Sequence, residues 1–143
     1  MASSMESESN MAENGSSPTV QSRLRVLVVD DNKDTALALG IAMQRAGHTV
    51  QLAHNGVQAF QLAMKQNPDV ILMDIGLPQV DGYAIVRELR NRVETKHIKI
   101  VAVTGYGLPG DIERSKAAGF DGHLLKPVDH AELCAIVNGL VSA

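Results

Sequence analysis

Five residues at the ends of short apolar runs have types that could do chemistry together. Asp30 and Asp31 follow Arg25 to Val29, Asp74 follows Val70 to Met73, Thr104 follows Ile98 to Val103, and Lys126 follows Gly122 to Leu125. Gathered in one place, three carboxylates would repel strongly, since two unit charges about 4 Å apart cost ~4 kcal/mol at an effective dielectric of about 20. Positive charge must offset this. Lys126 supplies one charge, and an oxygen-rich site with open positions suits a hard divalent ion such as Mg²⁺, kept partly hydrated and shared with a phosphate. A metal, a lysine and a hydroxyl are also the equipment for stabilising a transferring phosphoryl group. A carboxylate can be the nucleophile and form an aspartyl phosphate. Taken singly, Asp30 and Asp31 read as solvated or helix-capping residues, Thr104 as a strand-end hydroxyl and Lys126 as a surface charge. Only a fold that brings all five to one rim makes them a site.

The spacing of apolar residues supplies such a fold. Arg25 to Val29 is a continuous β-branched run that suits a strand buried on both faces. Four more short runs follow: Thr49 to Ala53, Val70 to Met73, Ile98 to Val103 and Gly122 to Leu125. Between them lie segments of helical period. The first, about Asp34 to Ala46, sets Leu37 with Ile41 and Leu39 with Met43 at i,i+4, and Gly47 stops it. The second sets Val57, Phe60 and Met64 on one face. The third begins near Asp81, with Val86 and Leu89 inward and Arg87, Arg90 and Arg92 as its solvated face. The fourth, Asp111 to Ala118, has only Ile112 and small neighbours to bury and should be the least firmly docked. The last follows Asp129 as N-cap and aligns Leu133, Ile136, Val137 and Leu140. Strands alternating with helices imply an α/β fold with an all-parallel five-stranded sheet, whose strand carboxyl ends share one edge where ligands bind.

Composition narrows the rest. The chain of 143 residues is long enough for one domain and one core. With 3% aromatics and no Trp, a nucleic-acid binder working by base stacking is not expected. The net charge of −3 is carried by Glu6, Glu8 and Glu13, so the remainder is balanced and offers no basic footprint for nucleic acid. Residues 1 to 22, rich in Ser and poor in aliphatic residues, read as a disordered tail or expression remnant, with the domain at 23 to 143. The single Cys134 excludes an internal disulfide and reads as a packed side chain. His48, His54, His97 and His130 lack metal-ligand spacing and read as surface or local-packing residues, and His123 as packed within a strand. No apolar stretch would span a bilayer and no signal peptide opens the chain, so a cytoplasmic protein without membrane contact is expected.

Four motifs in order, Val28-Val-Asp-Asp-Asn32, Met73-Asp-Ile-Gly-Leu-Pro-Gln-Val-Asp-Gly82, Val103-Thr-Gly105 and Leu125-Lys-Pro127, make the chain resemble the receiver domains of two-component response regulators from about Arg25 onward. The resemblance implies a doubly wound, flavodoxin-like sheet of strand order 2-1-3-4-5 with helices on both faces. It implies that Asp74 accepts a phosphoryl group from a phosphohistidine of a histidine kinase or histidine phosphotransfer domain. Asp31, Asp74 and the backbone carbonyl of Gly76 would hold Mg²⁺, with Asp30 contributing directly or through water, and Thr104 and Lys126 would bind phosphoryl oxygens. Slow self-dephosphorylation and a cis Lys126-Pro127 bond are also implied, the latter permissible because the second residue is proline. Pro78 would restrict the loop after Asp74, and Gly82 would allow a backbone conformation that a Cβ resists. A downstream protein would be met through the fourth helix, fifth strand and fifth helix, beneath which Thr104 and His123 lie. Two departures stand out: Gly76 places no side chain over the site, and His123 stands where many members carry Tyr or Phe.

Two rival readings are weaker. Gly105-Tyr-Gly107-Leu-Pro-Gly110 satisfies G-x-G-x-x-G, but the next strand ends in Lys126 rather than an acidic ribose ligand, and Pro109 constrains the turn. A magnesium-dependent aspartyl-phosphate hydrolase shares the acid cluster, yet enzymes of the haloacid dehalogenase type carry Asp-x-Asp after the first strand, and here Asn32 stands two positions after Asp30.

Overall fold

The computed structural model describes residues 23–75, 82–105 and 109–142. The elements are β1 (Arg25–Val29), α1 (Lys33–Arg45), β2 (Thr49–Ala53), α2 (Gly56–Gln66), β3 (Val70–Asp74), α3 (Gly82–Arg90), β4 (Lys99–Thr104), α4 (Pro109–Ala118), β5 (Gly122–Leu125) and α5 (His130–Ser142). All strand pairings are parallel, in the order β2-β1-β3-β4-β5. This is the doubly wound arrangement expected. The tail at residues 1 to 22, Gly76 and Pro78 lie outside the described residues.

The central strands are apolar on both faces because each face is covered. Leu27, Val29, Ile71, Met73, Ile100 and Ala102 pack with α2, α3 and α4. Val26, Val28, Leu72, Val101 and Val103 pack with α1 and α5. Asp74 and Thr104 are the last residues of their strands rather than the first beyond them.

Helix ends follow local chemistry. Asn32 caps α1 by accepting from Thr35 N at 3.0 Å, and Asp129 Oδ2 accepts from Glu132 N at 3.0 Å at the start of α5. Gly47, at φ +101°, closes α1 in a Schellman motif, with its own N–H on Gln44 O and that of His48 on Met43 O. Gly82 serves close approach: a Cβ there would lie 3.0 Å from Ile75 Cα, so α3 packs directly on the chain leaving β3.

Three helix faces differ from the expectation. On α1, Leu39 and Met43 are buried, but Leu37 and Ile41 are 53% and 39% exposed. On α2 the buried line is Gly56, Ala59 and Ala63, while Val57 is 57% exposed and Phe60 and Met64 are half-buried. On α3, Val86 and Leu89 are buried as expected, yet Arg90 is no solvated residue. Its guanidinium donates to Gly119 O at 2.9 Å, Lys96 O at 2.8 Å and the Ile98 carbonyl, and meets Asp121 Oδ2 at 2.6 Å. Asp121 in turn accepts from Ile100 N at 2.8 Å, so one residue ties α3, the chain before β4 and the turn after α4. Arg92 pairs with Glu88 at 3.0 Å and lies over the Phe60 ring, in a more exposed setting.

His48 is buried rather than superficial, and its Nδ1 accepts from Leu24 N at 3.1 Å. Burial pushes its pKa below the ordinary histidine value.

Two outcomes are expected from this packing. Arg90→Met should lower unfolding free energy by about 2–3 kcal/mol in denaturant melts, because several carbonyls and a carboxylate lose a shared donor; Arg92→Met should cost less than about 1 kcal/mol. Equal effects would show that Arg90 is not the tie. For His48 the unfolded chain binds a proton more readily than the folded one, so its contribution is complete above about pH 6.5 and declines as pH falls towards the depressed folded value. Melts at a series of pH values should therefore show a shallower acid loss in His48→Gln than in the native chain.

Candidate functional site

The parallel sheet brings Asp30 and Asp31 after β1, Asp74 at the end of β3, Thr104 at the end of β4 and Lys126 after β5 to one edge. One oxygen from each of Asp30, Asp31 and Asp74 lies within 4.8 Å of the others. Lys126 Nζ lies 2.8 Å from Asp30 Oδ2 and 3.5 Å from Asp74 Oδ2. Its backbone N–H donates to Thr104 O at 2.8 Å, which ties the lysine loop to the end of β4. Lys126-Pro127 is cis.

Environment separates the three carboxylates. Asp30 is only 1% exposed, and its charge is met by Lys126 on one oxygen and by Asn32 N at 2.9 Å on the other. A buried carboxylate is tolerable only with such partners. Asp31 is exposed and Asp74 half-buried. Burial alone would lower the pKa of the Lys126 ammonium, but the hydrogen bond to Asp30 and the charges of Asp74 and Asp30 outweigh it and raise the value, so the lysine is charged at neutral pH. Three carboxylates sharing one lysine leave net negative charge, and an oxygen-only donor set on an open edge is the chemistry of a hard divalent ion.

His54 also belongs to this rim. Its Nδ1 lies 3.1 Å from Asp30 O, and a carbonyl can only accept, so Nδ1 carries the proton. His54 follows β2, the one strand whose closing residue was not among the expected site, although the rule that strand ends converge applies to it equally. Thr104 is buried. His123 lies on β5 opposite Ala102, with Nδ1 3.4 Å from Ser115 Oγ. Because the Ser115 hydroxyl donates to Ile112 O at 2.7 Å, Nδ1 is the donor to Ser115, and the buried Nε2 has no hydrogen-bond partner among the described residues. α4 begins at Pro109, inside the glycine motif of residues 105 to 110.

Comparison with known proteins agrees with this geometry. Residues 26–138 match the family model of the response regulator receiver domain. The polar-differentiation response regulator DivK of Brucella anthropi is 34% identical over 103 residues, covering 72% of this chain and 84% of that protein. The receiver domain of sensor histidine kinase PA1611 from Pseudomonas aeruginosa, solved with a magnesium ion coordinated in its active-site cleft, superposes with a TM-score of 0.79 at 34% identity, covering 85% of this chain and all 100% of that one. Chemotaxis response regulator CheY4 of Vibrio cholerae superposes with a TM-score of 0.78 at 28% identity, covering 83% and 99% of the two chains. With an acid cluster at the sheet edge and a family match over most of its length, the chain belongs to the response regulator receiver domains and is a phosphoacceptor of two-component signalling.

Proposed function

We propose that Asp74 is the residue that accepts the phosphoryl group, from a phosphohistidine of a histidine kinase or histidine phosphotransfer domain. The observation that carries this is the single ammonium reaching both Asp30 and Asp74 beside a third carboxylate. Asp30 is the anchor rather than the nucleophile, because both its oxygens already hold donors. In the transfer an Asp74 oxygen forms the new O–P bond as the donor's N–P bond breaks, and the imidazole nitrogen keeps the electron pair. Asp30, Asp31 and Asp74, with the Gly76 carbonyl that the family resemblance implies, would hold Mg²⁺, which would supply neutralising charge. Lys126 and the Thr104 hydroxyl bind phosphoryl oxygens.

The surroundings support a protein donor and a second protein partner. Leu37 and Ile41 on α1 and Val57 on α2 are exposed, and a groove of about 600 Å³ between α1 and the start of α5 is lined by Leu39, Val128 and Leu133 among others. We assign the downstream contact to the face of α4, β5 and α5. Thr104 and His123 are diagonal neighbours across β4 and β5 under α4, so movement of Thr104 towards a phosphoryl group opens space that His123 fills. The functional unit in this reading is residues 23–143, cytoplasmic, with residues 1–22 as a tail; among the described residues no helix is long and apolar enough to cross a membrane.

Acetyl phosphate with Mg²⁺ should add one phosphoryl group to the native chain, seen by intact mass, and none to Asp74→Asn; chelator should abolish the addition. Labelling of Asp74→Asn to the native extent would assign the acceptor elsewhere.

A further inference from the structure

Arginines on and just after α3 divide into committed and uncommitted ones. Arg90 is held by Asp121 and three carbonyls, and Arg92 by Glu88. Among the described residues the guanidinium of Arg87, exposed on the same helix, has neither a hydrogen bond nor an ion pair. Opposite it, Arg114 of α4 lays its guanidinium over the Tyr83 ring, 4.7 Å from the centroid. Stacking holds a guanidinium by its face, which fixes the plane while leaving the N–H donors at its edge for an acceptor.

Between the two guanidinium groups runs a groove of about 230 Å³, lined by Tyr83, Arg87, Arg114, Ala117 and Ala118. Among the described residues its lining contains no carboxylate. Glu88 is already engaged by Arg92, and Glu113, next to Arg114 in sequence, is not among the lining residues. The two alanines leave the floor open. An arginine edge matches a carboxylate in two parallel hydrogen bonds.

We propose that this groove between α3 and α4 docks an acidic segment of a protein partner, with its carboxylates on Arg87 and Arg114. Charge complementarity selects the occupant: among the described residues, the two guanidinium groups lining this cleft form no ion pair. The place also matters. α3 starts against the backbone of Asp74 and Ile75, and α4 follows the strand that ends in Thr104. An occupant bridging α3 and α4 therefore couples to phosphorylation, and the coupling is reciprocal. Docking itself is independent of which aspartate is the acceptor; only the coupling rests on the function proposed above.

The test titrates a fluorescent, end-blocked oligoglutamate peptide against the unphosphorylated full chain and follows anisotropy and backbone amide shifts. Saturable binding that weakens with salt is expected, with shifts centred on residues 83 to 90 and 112 to 118. Arg87→Gln and Arg114→Gln should each weaken it about tenfold, equivalent to ~1.4 kcal/mol. Arg45→Gln on α1 should bind as the native chain does. Thermal melts of each variant separate loss of fold from loss of docking. No saturable binding, binding unchanged in both arginine variants, or inorganic phosphate competing the peptide away at equal concentration would each overturn the proposal, the last by making the groove a general anion site. If binding holds but is the same before and after acetyl phosphate treatment, the groove stands and its coupling to the acceptor is overturned.

Discussion

The ammonium of Lys126 is the contact on which the functional edge depends. It sits 2.8 Å from a carboxylate that is almost fully buried and 3.5 Å from a second one at the end of the neighbouring strand. Without it, Asp30 would be a buried charge with a single backbone donor, an arrangement that proteins rarely tolerate. Lys126 is itself placed by a backbone hydrogen bond to Thr104, which ties the cation that makes the cluster tolerable to the end of β4. One lysine does not neutralise three carboxylates. The residual negative charge suits a divalent cation and repels an anionic phosphoryl donor until that cation is bound.

The sheet exists to deliver these groups. Strands β1 and β3 are buried on both faces because α1 and α5 cover one side and α2, α3 and α4 the other. Polar side chains at the carboxyl ends then emerge together at one edge. The alternation of β-branched runs with helical spacing is enough to derive this, which is why Asp30, Asp31, Asp74, Thr104 and Lys126 could be singled out before any coordinates. Their distances could not, because a spacing of 96 residues between Asp30 and Lys126 is closed only by the packing of every element between them.

Helix faces were less legible, and small residues explain why. Both i,i+4 pairs on α1 are apolar, but Gly40 lets the helix approach β2 so closely that a Cβ would lie 3.1 Å from Leu52. That contact turns Ala36, Leu39 and Met43 inward and leaves Leu37 and Ile41 outside. The same holds for α2, where Gly56, Ala59 and Ala63 mark the close face. A period of apolar residues shows that a helix is amphipathic; the smallest residues show which side touches the sheet. Arg90 escaped for a different reason. Its partners are mostly backbone carbonyls at the ends of later elements, which no side-chain pattern announces.

The charge cluster is most directly tested by unfolding in denaturant, comparing the native chain with Asp74→Asn in chelator and at several Mg²⁺ concentrations. If three ionised carboxylates share the site, removing one relieves repulsion in the metal-free folded state. The variant should then be more stable in chelator by about 1 kcal/mol, after allowance for solvent screening and for the lost attraction to Lys126. Mg²⁺ should stabilise the native chain by mass action, and the variant less, since it lacks one anionic ligand. A variant less stable than the native chain in chelator, together with no Mg²⁺ dependence in the native chain, would contradict a shared charged site at this sheet edge.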